Sequence, residues 1–285
     1  MVTESSTEGI IKPTFRLNLY LITPTIPSLI PMELNEIVEK MAKALIVVDS
    51  ATKTQRASRS DSGKYIPCVG TIWESDFTQE AVIRWAMNYP EDFAGFTDDW
   101  FEVSYPTGRG RCDLVLTGID YKPEFGLAPY EWAIENKYVR FIGDNGKNND
   151  YGVTKVVSPY RKDRSSVLDA ERLKTFTLAE RKAILMYGFE FDSDSHSLAL
   201  AWCDAHESDG DQSKNRERVK NMKSILDKAD PKTHEMSMRD LIPLFEAAAK
   251  TKGIKLGPCF EKEFSGLDRH PLYHRGRILA WEVLE

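Results

Sequence analysis

Three residues in the middle of the chain have the types and the spacing for metal-assisted hydrolysis. Glu135 and Lys137 lie two apart in the strand-like run 130–139, and side chains two apart on a strand point to the same face. Asp113 stands in an earlier strand-like run, 111–116, from which it can lie beside them on a neighbouring strand. The sequence therefore predicts a site in which two carboxylates and one amine converge.

This combination fits the hydrolysis of a phosphodiester. The reaction needs a hard cation held by oxygen ligands, an activated water and a positive charge near the reacting phosphate. The other reading of Glu135 and Lys137 is an ion pair on a half-exposed strand, which usually contributes less than about 1 kcal/mol. Trp132, Ile134 and Asn136 alternate with Glu135 and Lys137 along the run, so the face with Glu135 and Lys137 points in one specific direction. We therefore favour a catalytic site over an isolated ion pair.

Length and composition indicate an ordinary globular protein. The chain has 285 residues, of which 41% are hydrophobic and 29% are charged, and these values exclude global disorder. No apolar run reaches the length of a membrane span, and no basic leader precedes the first apolar stretch. We therefore expect no membrane contact and a cytoplasmic location. The four cysteines are widely scattered, which argues against a zinc site and a disulfide framework.

The net charge of -6 does not by itself indicate a partner that is a polyanion, but basic residues recur around the three candidate residues. Each basic cluster alone is usually a solvated surface. We take four arginines as candidates for contacts with nucleic acid: Arg109, Arg111, Arg161 and Arg164. His270 and His274, with the arginines next to them, fit a surface or core role better than a second site.

The apolar periodicity predicts an α/β protein. An irregular tail, 1–31, should precede one domain, 32–285. The predicted strands are 100–105, 112–117, 130–139, 183–189 and 278–284. The predicted helices are 32–48, a segment that begins at Asp76 or Thr78 and ends near Tyr89, 165–176, 214–228 and 238–250. Loops are expected at 52–63 and 204–213.

The order of these elements resembles the PD-(D/E)xK nuclease superfamily, which includes many restriction and repair nucleases. A helix with the inward acid Glu80, a strand, a Gly/Arg turn, a strand with Asp113, the triplet 135–137, a helix and an apolar strand follow one another over about residues 76–189. Cys112 stands where the motif has a proline, a position at which replacement is common.

The resemblance implies a fold, a cofactor and a role for each residue. The fold would be restriction-endonuclease-like, with a mixed central sheet flanked by helices. Asp113 and Glu135 would bind Mg²⁺, for which Mn²⁺ can substitute, and Lys137 would assist the attacking water. Glu80 would join the metal site, although Glu74 and Asp76 lie nearby. In the segment 163–169, Arg164 and Asp169 fit a site role and a scaffold role equally well.

The expected activity is cleavage of nucleic acid by a DNA endonuclease, with a role in restriction or defence. A homodimer is expected because two copies related by a two-fold axis can cut both strands of a duplex. With a metal close by, the pKa of Lys137 would fall enough for proton transfer. Two other classes stay open: a nuclease-fold subunit without turnover, and a sugar hydrolase that uses Glu131 and Glu135 but leaves Lys137 without a role.

Overall fold

A mixed sheet of seven strands carries the candidate residues in its middle strands. The computed structural model describes residues 32–51, 68–72, 74–93, 100–108, 110–118, 128–142, 153–160, 164–206, 213–227 and 237–284. These residues belong to one compact unit, Pro31–Glu285. The predicted tail, 1–31, and the predicted loop at 52–63 lie outside the described residues.

The sheet has the strand order β1-β2-β3-β4-β7-β5, and β6 also pairs with β7. Its strands are β1 (Phe101–Ser104), β2 (Arg111–Leu116), β3 (Tyr130–Arg140), β4 (Ala179–Phe189), β5 (Lys255–Leu256), β6 (Phe260–Ser265) and β7 (Arg275–Leu284). Only the pairing of β3 with β4 is parallel among the described strands. The predicted α/β class with a mixed sheet is thus confirmed.

Helices cover both faces of the sheet. They are α1 (Leu34–Ala51), α2 (Glu74–Asn88), α3 (Val153–Val156), α4 (Ser166–Leu173), α5 (Ser193–His206), α6 (Ser213–Leu226) and α7 (Leu241–Thr251). The helices α1 and α2 pack together on one face, and α4 packs with α7 on the other. In α1 the apolar residues recur every three or four positions and lie in the core, as the sequence predicts.

The faces of β3 are fixed by its contacts with these helices. Asn136 donates from Nδ2 to Oγ1 of Thr78 on α2, at 3.2 Å. Glu135 on β3 is paired with Ile184 on β4, and Ile184 is paired with Trp281 on β7, so the three side chains point to the same face of the sheet. On that face the ring of Trp281 packs against Phe245 of α7, with 4.7 Å between centroids. Glu135, and with it Lys137, therefore faces the layer of α4 and α7, while Asn136 faces α2.

Several parts of the fold differ from the sequence-based expectation, among them the short elements α3 and β5, which were not predicted, and β4, which begins at Ala179 rather than at residue 183. The helix α2 begins at Glu74, before both predicted caps. The two ends of the loop expected at 204–213 are helical, because α5 continues to His206 and α6 begins at Ser213. The strand β6 was not predicted, since its sequence FEKEFS is mostly polar and exposed. Charged residues are common on such edge strands because they discourage pairing with other chains.

The basic run 269–277, near the C-terminal end, makes contacts with other parts of the fold. Arg277, which is 7% exposed, donates to Glu190 at 3.1 Å and to Glu263 at 3.1 Å. Arg275 forms an ion pair with Asp192. His270 is buried and stacks on Tyr273 with 4.3 Å between ring centroids. These contacts favour the scaffold role that the sequence analysis preferred for this run.

We predict that Asp192→Asn lowers the free energy of unfolding at neutral pH. Asp192 Oδ1 accepts from the backbone N–H and from Oγ of Ser195 at 2.8 and 2.9 Å. Burial would raise the pKa of Asp192, but these hydrogen bonds and Arg275 outweigh it and hold the pKa below its ordinary value. Bonds to a charged group are each worth about 1.5–3 kcal/mol, so the expected loss is of that order.

Urea unfolding of the two proteins at several pH values checks this prediction. A lowered pKa contributes stability above the pKa of the unfolded chain, about 3.9, and the contribution disappears as the pH falls through the folded value. The difference between the proteins should therefore shrink in acid. Asp194→Asn, at an exposed position of the same helix turn, is the matched control. An equal loss at neutral and acid pH would contradict the assignment.

Candidate functional site

The candidate site lies where β2 and β3 separate. Their pairing reaches Leu114 opposite Ile134, and beyond it Oδ2 of Asp113 accepts from the backbone N–H of Asn136 at 2.8 Å. Two residues further on, the N–H of Tyr138 donates to the carboxylate of Glu74. Side chains of two acids thus satisfy strand N–H groups that a neighbouring strand would otherwise take. A cavity lies beside this separation, and Glu74 and Asp113 help to line it.

The cavity has a volume of about 410 Å³ and is lined almost entirely by charged groups. Its acids come from α2, β2, β3 and α4: Glu74, Asp113, Glu135 and Asp169. Its basic groups are Lys137, Arg164 and Arg172. Four carboxylates against three cations leave a formal excess of one negative charge, which suits a cavity that takes up a cation.

Two donors hold the carboxylate of Glu135. Tyr105, directly after β1, donates from its hydroxyl to Oε1 of Glu135 at 2.5 Å. Arg172 on α4 donates to the same oxygen at 2.7 Å and to Oδ1 of Asp169 at 3.1 Å. Asp169 and Arg172 are three apart, and positions at that spacing are neighbours on a helix surface. Both described donors therefore act on the same oxygen of Glu135, and the Glu135 carboxyl group also hydrogen-bonds the side chain of Asp113.

Lys137 lies between two acids from different elements. Its Nζ is 3.4 Å from Oε1 of Glu74 and 3.2 Å from Oδ2 of Asp169. Burial would lower the pKa of Lys137, but Glu74, Asp169 and Asp113 together outweigh burial and raise it. The surroundings therefore favour the ammonium form.

The surroundings of Asp113 and Glu135 disfavour the anionic form of both carboxyl groups. Burial raises the pKa of Asp113, and the hydrogen bond from the N–H of Asn136 and the charge of Lys137, which both lower it, do not offset burial. Burial also raises the pKa of Glu135, helped by Asp113 and Asp169 and opposed by Arg172. Neighbouring carboxylates repel each other, and this repulsion is relieved when a cation binds between them.

Glu80 is not part of the cluster. Its side chain is 49% exposed and lies 3.9 Å from Arg84 on the same helix, and it does not line the cavity. The acid that α2 brings to the cavity is Glu74. Because an α-helix turns about 100° per residue, an acid six positions later points in a different direction. The expectation that Glu80 joins Asp113 and Glu135 is therefore corrected to Glu74.

The four arginines expected to contact nucleic acid have different placements. Arg164 lines the cavity. Its φ of 48° lies in the left-handed region, which costs about 1 kcal/mol for a residue other than glycine. Arg111 lies outside the cavity, where it is exposed and donates to Glu102 at 2.8 Å. Arg109 and Arg161 lie outside the described residues.

Sequence reasoning missed two residues of the site. Arg172 had a usable signal, because it follows Asp169 by three on a helix whose other face is apolar. Tyr105 had none, since its contact with Glu135 depends on how β1, β2 and β3 pair. Glu74 was noted beside Glu80, and only the exact start of α2 decides between them.

Comparisons with protein-family models, with curated proteins and with solved structures found no match. Among the described residues, no helix has the length and apolarity needed to cross a membrane. In the same residues, no group of three or more His, Cys, Asp or Glu side chains is arranged to hold a metal ion.

Proposed function

We propose that this chain is a metal-dependent nuclease that hydrolyses phosphodiester bonds in nucleic acid, with DNA as the preferred substrate. The observation that carries the proposal is the convergence of Asp113, Glu135 and Lys137 in one charged cavity. These three residues come from two strands and are 24 positions apart in sequence at most. The acidic excess attracts a cation, and Lys137 and Arg164 offer positive charge to a phosphate.

The pair of carboxylates fits Mg²⁺. This ion prefers oxygen ligands and keeps several waters, and one or two carboxylates together with substrate phosphate commonly suffice to bind it. Asp113 and Glu135 would hold it, and Mn²⁺ can substitute. When bound, the ion lowers the pKa of a coordinated water and polarises a phosphate oxygen. The remaining steps belong to side chains of the chain itself.

Lys137 acts as a fixed positive charge in this proposal. Its ammonium group orients the attacking water and offsets the charge that grows on the phosphate oxygens. Arg164, on the rim, contacts a phosphate of the substrate. Tyr105 and Arg172 keep the Glu135 carboxylate in one orientation through Oε1. The fold that we propose is restriction-endonuclease-like, since α2, β1, β2, β3, α4 and β4 follow one another in the order of that resemblance.

Cleavage of a mixed panel of substrates tests the proposal. The full chain is incubated with plasmid, linear duplex, single-stranded DNA and RNA in Mg²⁺, in Mn²⁺ and in EDTA. We expect cutting of DNA that requires the metal. Light scattering of the same sample measures whether two copies associate, as expected for an enzyme that cuts both strands. Metal binding without cutting of any substrate would favour a nuclease-fold subunit that lacks turnover.

We predict that Tyr105→Phe weakens metal binding without unfolding the chain. The substitution removes the hydroxyl that donates to Oε1 of Glu135 and keeps the ring, which packs edge-on against Phe176 with 5.1 Å between centroids. Loss of a group that orients a metal ligand typically lowers metal affinity about 10- to 100-fold. Titration with Mn²⁺, followed by calorimetry, measures the change.

Tyr130→Phe is the matched control, because Tyr130 also packs against Phe176, as a stacked pair with 6.5 Å between centroids. The control should bind Mn²⁺ as the parent does. Equal affinities of the Tyr105→Phe variant and the parent would show that the hydroxyl does not orient Glu135.

A further inference from the structure

The four acids of the cavity differ in how many of their carboxylate oxygens are already in contact with donors or cations of the protein. Glu74 accepts from the N–H of Tyr138 through Oε2 and from Lys137 through Oε1. Asp169 accepts from Arg172 through Oδ1, and its Oδ2 lies 3.2 Å from Nζ of Lys137. Glu74 and Asp169 are thus joined through a single ammonium group, whereas Lys137 makes no comparable pair with Glu135 among the described contacts.

Asp169 gives a second observation at this place. The residue is 8% exposed, and its Oδ2 is buried without a hydrogen bond. The nearest cation to this oxygen is the ammonium group of Lys137, at 3.2 Å. An oxygen of this kind, beside a second carboxylate, is suited to a cation without directional demands.

We propose that the cavity binds one divalent cation, at Asp113 and Glu135, and that the ammonium group of Lys137 occupies the position between Glu74 and Asp169 that a second cation would otherwise take. This inference rests on the proposed function. It concerns the number of ions that the site holds and the reason for a lysine at its centre.

The charges of the cavity agree with a single ion. Its four carboxylates and three basic groups have a formal sum of one negative charge. One divalent ion changes this sum to one positive charge, which a single phosphodiester neutralises. Two divalent ions would change the sum to three positive charges around one phosphate, and a site with such an excess would hold the phosphomonoester product tightly.

Counting bound Mn²⁺ tests the inference without any measure of activity. Mn²⁺ is titrated into the full chain, and free Mn²⁺ is measured from its electron paramagnetic resonance signal. We expect one ion per chain for the parent protein. Lys137→Met removes the ammonium and releases Glu74 and Asp169, so we expect two ions per chain for this variant. Lys137→Gln, which is polar and uncharged, should behave in the same way.

Lys40→Met is the matched control. Lys40 is a half-buried lysine that pairs with Asp92 at 2.7 Å, and its removal exposes one acid rather than two, so one ion per chain should remain. Glu74→Gln in the parent should also keep one ion, because the ion is assigned to Asp113 and Glu135, and this variant tests that assignment if the Lys137 variants do not fold. An ion held by Glu74 would be lost in that variant and would overturn the inference.

The outcomes separate this inference from the proposed function. Two ions in the parent, or one ion in the folded Lys137→Met variant, would overturn the single-ion assignment. One ion in the parent together with no cleavage of any nucleic acid would overturn the proposed function and leave the assignment of Lys137 in place. A parent protein that binds no Mn²⁺ would overturn both.

Discussion

Lys137→Ala is expected to lower the rate of nucleic-acid cleavage by about 100- to 1,000-fold, the usual effect of removing one group that stabilises transition-state charge. The side chain is 22% exposed and lies beside a cavity of about 410 Å³, so water can replace the lost ammonium and the chain should still fold. The loss should fall on kcat rather than on KM, because the charge of the phosphate grows only during the reaction.

Single-turnover cleavage at saturating Mg²⁺ measures this effect, and circular dichroism of the same sample reports folding. Lys40→Ala is the matched control, since it removes another partly buried lysine that pairs with an acid. It should cleave at the parent rate. A Lys137→Ala variant that cuts as fast as the parent would show that Lys137 has no part in the chemistry.

Asp113→Asn is expected to reduce cleavage by about 1,000-fold, or about 4 kcal/mol, because the amide is a poor ligand for a hard cation. The side-chain oxygen can still accept from the N–H of Asn136, as Asp113 does now. Burial raises the pKa of Asp113, so the carboxylate destabilises the metal-free fold at neutral pH, and that cost falls as the pH drops and the group is protonated. The variant should therefore be more stable than the metal-free parent.

The combination of lost activity and gained stability distinguishes a site residue from a structural one. Thermal unfolding in EDTA and cleavage in Mg²⁺ are measured on both proteins. Glu80→Gln is the matched control, because Glu80 was expected in the same metal site but is exposed on α2. It should change neither quantity. If Glu80→Gln removed activity and Asp113→Asn did not, the placement of the site would be wrong.

The strand that carries the site was predictable from the sequence. The alternation along 130–139 predicts both the strand β3 and the shared direction of Glu135 and Lys137, and the structure has both. The position of Asp113 beside them follows from the short turn between β1 and β2 and the pairing of β2 with β3. The strand β3 and its two faces depend on local periodicity, which a single sequence contains, whereas the place of Asp113 depends also on the pairing of β2 with β3.

The rest of the site depends on contacts between distant segments. Tyr105 reaches Glu135 across 30 residues, and Lys137 reaches Glu74 across 63 residues. The choice of Glu74 over Glu80 depends on the first turn of α2, and helix ends are poorly determined by propensity. Sequence patterns specify which residues share a face, but not which helix lies over that face.

The most direct test of the account is the initial rate of DNA cleavage by the full chain as a function of free Mg²⁺, with Asp113→Asn measured alongside. We predict no cleavage in EDTA, a rate that rises with Mg²⁺ to a plateau, and a rate about 1,000-fold lower for the variant at the same plateau concentration. Cleavage that persists in EDTA, or that is equal in the parent and the variant, would contradict the assignment of this cavity as a metal-dependent nuclease site.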